Sequence, residues 1–347
     1  MSAFTVVTPA PRDTWQRVLS NDRDALPDQA PEWVDALVAG GSYRDASRLY
    51  SFADGREVVL PLVRRRGLIG LGGWLQSYPS GWGIGGLVGS DASADIVSEV
   101  LGDLHRLGMQ RVAIRPDPRR WPTWDGARND GILAIPRRAH VIDLAGGEDA
   151  AWAKLSKSAR RDVRAAECAG IRIETGHSGA HLEDYYGLFL LSVDRWADRQ
   201  HEPRALAHAR ARRRDPMNKL QAIARHLGTR FVVTMAYRGD VPLAGAITLF
   251  GQTAHNTRSA MDRVRIGSTR GAVELVQWTN IKMACDLACT AYHMGESGRS
   301  TTLSHFKEKF GARPHDYAEL RLDRLPWSRS DAAVRAIVKR IVGFRDV

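Results

Sequence analysis

Three cysteines in 347 residues, Cys168, Cys285 and Cys289, are too few for a disulfide framework and include no CxxC pair. Cys285 and Cys289 stand four apart on an expected helix and could share a face. No second ligand pair accompanies them, so no metal is expected and both read as small buried hydrophobes. Long apolar runs are also missing. No stretch approaches the roughly 18 uncharged residues of a membrane span, and residues 1–22 lack the basic start and apolar centre of a secretory signal. The expectation is a cytoplasmic protein without a transmembrane segment. HExxH, a Walker A motif, a GxSxG elbow and a kinase signature are absent, which leaves zinc proteolysis, P-loop chemistry and hydrolase triads without support. There is no heptad run, low-complexity tract or short-period repeat.

What is present is enough for two folded cores: 44% hydrophobic and 26% charged residues over this length exclude a disordered chain. Element order is mixed α and β throughout, and the expected boundary separates residues 1–148 from 149–347. In the first part, Pro31 opens a helix that stops at Gly40-Gly41, and Asp54-Gly55 turns a hairpin between Arg48–Ala53 and Arg56–Arg66. A glycine-rich loop is expected over Gly67–Gly89, a helix over Ala92–Leu107, a strand at Arg111–Arg115, a loop over Pro116–Gly131 and an extended segment to Leu144. In the second part the pattern predicts one helix over Asp149–Ala169 and a strand at Ile171–Thr175, then helices at His181–Arg199 and Pro216–Leu227. Strands follow at Phe231–Tyr237, Leu243–Phe250 and Ala254–Met261. A short polar loop then feeds a helix over Gly271–Leu287, a strand at Thr290–Met294, a helical piece at Leu303–Phe310, a strand at Tyr317–Leu322 and a helix at Ser330–Val342.

Charge is divided unevenly. Residues 1–150 hold 17 Arg and no Lys against 19 acids; residues 151–347 hold 33 basic residues against 20 acids, so the chain's net +11 is carried by its second part. Such an excess concentrates polyanions near the surface without specifying a fold. Lys154, Lys157, Arg160, Arg161 and Arg164 recur at helical spacings of three and four, a basic stripe that is either a solvated face or a polyanion contact. A second cluster stands at Arg210 and Arg212–Arg214.

Two glycine patterns suggest anion binding. Gly81–Gly86 matches GxGxxG, but no buried strand is expected before it and the helix begins only after Gly89, so it reads as a turn-rich loop rather than a dinucleotide site. Gly267, Arg270 and Gly271, between a strand and a long helix, place backbone N–H groups at the positive end of a helix dipole. That turn is either an anion site or an ordinary β-to-α connection.

The segment Tyr292–Ala312, YHMGESGRSTTLSHFKEKFGA, has a strand ending in Gly, a Ser/Gly/Arg turn and a helix ending FKxxFGA. It resembles the C-terminal signature of the FemAB-like aminoacyltransferases, a branch of the GNAT acyltransferase superfamily. LSKSARRDVRAAECAGIRIE, from Leu155, is similar to that family's basic helix running into Gly and a strand. The resemblance spans Trp152 to Leu322. It implies an α/β (α+β) fold of two tandem GNAT-like domains, each a mixed, mostly antiparallel sheet flanked by helices. It implies transfer of an aminoacyl group from charged tRNA to an amine, on a cell-wall precursor or a small metabolite, with no permanently bound cofactor and no DNA partner. An acyl-CoA donor is the alternative. By the same resemblance Lys307 is the catalytic residue, next to the transferring ester, and Phe306, Glu296 and Arg299 join Gly267, Arg270 and Gly271 in holding the donor. Lys157, Arg160, Arg161 and Arg164 would meet tRNA, because the long helical arm of some relatives is absent. Where the family often has Asp, this chain has His293, with Glu296 as a substitute.

Overall fold

A computed structural model describes residues 4–40, 42–65, 73–267, 270–298 and 300–323. The helix expected over residues 330–342 and the candidate residue 299, an arginine, lie outside these. Packing divides the chain into two units: residues up to Arg138, rejoined by the chain from His315, and the segment Ala139–Pro314 between them. The sequence drew a single boundary at 148/149, because nothing in local patterning announces that the C-terminal strand returns to the first unit.

The first unit contains β1 (Phe4–Val7), α1 (Arg12–Asn21), α2 (Pro31–Ala39), β2 (Tyr43–Asp45), β3 (Arg48–Phe52), β4 (Glu57–Leu60), β5 (Val63–Arg65) and β6 (Trp74–Ser77). It continues through α3 (Ala94–Arg106), β7 (Arg111–Ile114) and α4 (Trp121–Ala127) to β8 (Leu133–Asp143), which carries the chain into the second unit. The returning strand is β14 (Arg313–Asp323). β1, β3 and β4 form a small antiparallel sheet; a second sheet runs β2-β5-β6-β7-β14, with β6 and β7 parallel. The Asp54-Gly55 hairpin is present between β3 and β4. Two expected loops hold structure. β6 lies in the glycine-rich stretch, where Leu75 and Ser77 alternate inward, and α4 occupies the Trp loop, started by Pro122 and anchored by buried Trp124.

The Gly81–Gly86 loop is consumed by its own packing. A Cβ at Gly83 would lie 2.0 Å from Asp28 Oδ2, and one at Gly85 would lie 2.2 Å from Ser77 Oγ. The Asp28 carboxylate already accepts from the Ile84 amide (3.0 Å). A phosphate has no place beside that carboxylate.

The second unit runs through α5 (Gly147–Lys154), α6 (Lys157–Cys168), β9 (Arg172–His177), α7 (Leu182–Gln200), α8 (Arg204–Arg214), α9 (Met217–Leu227), β10 (Phe231–Arg238) and β11 (Val241–Phe250). It ends with β12 (Ala254–Met261), α10 (Arg263–Ile266), α11 (Ala272–Asp286), β13 (Ala291–Glu296) and α12 (Thr301–Glu308). Its strands lie in the order β8-β13-β12-β11-β10-β9, antiparallel except for the β12–β13 pair. β10 is buried along nearly its whole length because both faces are covered. Val232, Thr234 and Ala236 face α11, where Thr234 Oγ1 donates to Asn280 Oδ1 (2.5 Å), while Met235 packs beside Gly245 and Tyr185 of α7.

Two sequence expectations change here. The single helix over 149–169 is broken: Leu155 is extended and buried, and the Ser156 hydroxyl caps α6 by accepting from the Ala159 amide (3.1 Å). The arginine-rich helix α8 was missed because its only inward residues, Ala207 and Ala211, give almost no apolar stripe.

Candidate active site

β12 and β13 are paired at only two rungs, Ala254↔Tyr292 and His255↔His293. Beyond them β12 stays on β11 as far as Met261, whereas β13 bulges and pairs Glu296 with Ala139 of β8. The parallel strands therefore part at their carboxyl ends. Such an opening at the ends of parallel strands is where mixed α/β sheets accept ligands.

Lys307 closes the β13 side of this opening. Ser300 caps α12 by accepting from the Leu303 amide (3.3 Å), and the helix aims the Lys307 side chain inward. Its Nζ donates to the carbonyls of Gly295 and Glu296, each at 2.8 Å. Gly295 adopts φ +72°, which turns these carbonyls toward the ammonium. Only 5% of Lys307 is exposed. Burial pulls its pKa down to about 7, with the Glu296 carboxylate pulling the other way. An ammonium has three N–H groups, so among the described residues two are used and one is left for an incoming oxygen.

On the face of the sheet covered by α11, the floor of the opening is polar. Asn256 Nδ2 donates to Gln277 Oε1 (3.1 Å) and to Tyr292 Oη (3.2 Å), and Tyr292 Oη donates to Gln277 Oε1 (3.2 Å). Ser259 Oγ donates to Asn256 Oδ1 (3.1 Å) and accepts from Gln277 Nε2 (3.3 Å). Burial pushes the Tyr292 hydroxyl up to about 12, so it stays a neutral donor. On the opposite face His255 and His293 meet edge to face, 5.8 Å between ring centres. His293 is thus a buried ring on the strand, not an acid at the mouth.

The structure brings Lys307 and Glu296 together, while the contacts of Phe306 turn it toward the start of α11. The Phe306 ring lies 5.4 Å from Phe310 and 4.9 Å from Lys309 Nζ, which also pairs with Glu274 in the first turn of α11 (2.5 Å). Gly267, Arg270 and Gly271 belong to a different locus, the α10–α11 connection. Gly267 ends α10, Arg270 is exposed, and Gly271 caps α11 at φ +93°. A Cβ on Gly271 would stand 1.8 Å from the Asp162 carbonyl of α6. The glycine is required because α6 packs onto the start of α11, and the carboxylates of Asp162 and Glu274 flank that end. A pyrophosphate at this helix terminus would meet a carbonyl and two carboxylates that already share the Lys309 ammonium.

In the basic stripe, Lys157, Arg161 and Arg164 are exposed and Arg160 is half-buried. Arg164 stacks over Trp152 at 5.7 Å, and Arg161 sits 3.4 Å from Asp162. Lys157 and Arg160 have no carboxylate partner among the described residues. Arg210 and Arg214 of the second cluster are paired with Glu202 and Asp215. Cys289 is buried, its Sγ donating to the Gly251 carbonyl. Sequence reasoning missed Asn256, Gln277 and Tyr292, since residues spread over two strands and a helix carry no spacing signal.

No protein-family model and no curated protein matches this sequence. Among solved structures the likeness extends over nearly the whole chain and is one of fold: mixed, mostly antiparallel sheet with flanking helices in both units. One of them is FemX, with TM-score 0.68 at 11% identity, over 92% of this chain and 97% of that one. The C-terminal domain of a putative lysylphosphatidylglycerol synthetase from Agrobacterium fabrum is also similar, with TM-score 0.51 at 14% identity, over 96% of each chain. L-PGS from Bacillus licheniformis gives 0.50 at 13% identity, over 91% of this chain and 97% of that one. At these identities the fold is what is shared. Among the described residues no helix is long and apolar enough to cross a membrane.

Proposed function

We propose that the protein is an acyltransferase that moves an aminoacyl group from charged tRNA to an amine acceptor, a cell-wall precursor or a small metabolite, forming an amide. The observation that carries this reading is the buried Lys307 ammonium at the parting of β12 and β13, with one N–H left unused by the Gly295 and Glu296 carbonyls. The amine nitrogen attacks the ester carbonyl, the C–N bond forms, and the C–O bond to the ribose breaks. The nitrogen's proton passes to the departing ribose hydroxyl, so no dedicated base is needed. Negative charge develops on the carbonyl oxygen, where a fixed ammonium in a partly dry site stabilises it without reorganisation.

The choice of donor rests on three supports. The FemAB-like resemblance of the FKxxFGA segment implies tRNA, the second part of the sequence carries the excess of positive charge, and the start of α11 is covered by the Asp162 carbonyl. The last of these argues against acyl-CoA, whose pyrophosphate would seek that helix terminus. Lys307→Ala should lower kcat by about 10²–10³-fold with KM for the donor little changed, the range seen when one oxyanion donor is removed. An unaltered kcat would take Lys307 out of the mechanism.

A further inference from the structure

We propose that Arg195, Arg199 and Arg263 form a phosphate-binding site for the single-stranded end of the RNA donor, at the carboxyl end of β12. This rests on the aminoacyl-tRNA reading above and gives that donor a docking place on α7 and the start of α10.

The site is assembled by the way β12 ends. Met261 is clamped to α7: its amide donates to Ser192 Oγ (3.2 Å), and its carbonyl accepts from Ser192 Oγ and from an Arg195 Nη, both at 3.2 Å. Arg263 follows two residues later, and Arg199 stands one helical turn beyond Arg195. The acids of this stretch are spent elsewhere. Asp194 holds His208 and Asp198 holds Arg204, both of which belong to α8. Asp262 accepts from the Val264 and Arg265 amides and pairs with the Arg265 side chain. Arg199 and Arg263 are exposed and have no carboxylate partner among the described residues. Arg195, held on the Met261 carbonyl, thus stands near the exposed Arg199 and Arg263 at one strand end; burial, Arg199 and Arg263 lower its pKa, and Asp262 alone opposes them. Like charges held together in this way call for an external anion.

Position selects the anion. β12 and β13 are parallel, so Met261 and the Gly295–Glu296 carbonyls lie on the same edge of the sheet. From the shared rung, β12 runs six residues to Met261 and β13 three to Glu296, a difference of about 10 Å at the usual strand rise. Arg195 and Arg199 are spaced about 6 Å along their helix, which suits successive phosphates of one strand. A nucleic-acid strand whose terminal ester reached Lys307 would therefore lay its preceding phosphates on these arginines.

The test compares wild type with Arg199→Gln/Arg263→Gln, which alters exposed side chains only, and with the triple variant that adds Arg195→Gln. Binding of a single-stranded RNA oligonucleotide and of charged tRNA is measured against salt. Loss of two phosphate contacts should flatten the salt slope by about 1.4 and loss of three by about 2. KM for charged tRNA should rise at least tenfold with kcat retained, the reverse of Lys307→Ala, while Arg204→Gln leaves the slope unchanged. RNA binding and slope that persist in a folded double variant would overturn the site and leave the donor assignment standing. A double variant that loses only binding to anionic phospholipid vesicles would overturn it in favour of a lipid surface. If wild type binds no RNA at any salt, the aminoacyl-tRNA reading fails and the site falls with it.

Discussion

Lys307 concentrates the account at a single side chain. With its pKa drawn down to about 7 by burial, the ammonium is present below that pH and lost above it. kcat/KM should therefore fall with a one-proton limb near pH 7, and Lys307→Arg should remove that limb because a guanidinium stays charged. A limb that persists in Lys307→Arg belongs to another group. The same shift has a stability sign. Between about pH 7 and the ordinary lysine value of 10.5 the unfolded chain holds a proton that the folded chain does not, so this residue's contribution to stability rises with pH across that interval. Glu319 of β14 has the opposite dependence. Burial pushes its carboxyl up, but Arg115, Arg137 and Arg321 together hold it well below its ordinary value of 4.5. Its stabilisation is full above pH 4.5 and disappears as pH falls through the lowered value. Glu319→Gln should cost about 3 kcal/mol at neutral pH, because the carboxylate charge that faces Arg115, 8% exposed, and Arg137 is removed from a buried ion pair. A denaturant midpoint unchanged by that substitution would contradict the pairing.

Elements decide what the site can hold. α6 lies against the start of α11, so Gly271→Ala forces a Cβ against the Asp162 carbonyl at a positive φ and should destabilise the protein by about 2 kcal/mol or more. A thermal melt in which this variant matches wild type would mean that the helix terminus is open. On the outer side of α6, changing Arg160, Arg161 and Arg164 together should weaken tRNA binding and reduce its salt slope by about one per lost phosphate contact; a slope that does not change makes the stripe a solvated face. Local chemistry made many of these elements legible. Pro31 and Gly40 bracket α2, Asp54-Gly55 turns the hairpin, and β10 and β11 stand out as apolar runs divided by Gly239 and Asp240. What could not be read lacked a local signal: α8 has no apolar stripe, and the cap at Ser156 splits what looks like one periodic helix. The α10–α11 turn has the residues of an anion site, yet its Gly271 is explained by a neighbouring helix. Lys307 was reached through the resemblance of its segment; its two carbonyl partners and the Asn256–Gln277–Tyr292 network come only from tertiary packing.

At the scale of the whole molecule, the chain departs into a second unit at Ala139 and returns at His315, which places the opening, Lys307 and both groups of arginines within the residues of the second unit. That unit also falls in the part of the sequence where lysine first appears and positive charge accumulates. An anionic donor steered by such a surface should associate faster at low salt. Charged tRNA and acyl-CoA are both anionic, so the decisive difference is which ester is consumed. The most direct measurement incubates the purified protein with an amine acceptor pool and, in separate reactions, with a charged tRNA pool or acetyl-CoA, and follows each acyl group by mass balance. The account predicts that aminoacyl-tRNA is deacylated with matching amide formation, that this requires Lys307, and that acetyl-CoA persists. Consumption of acetyl-CoA with charged tRNA left intact would contradict it.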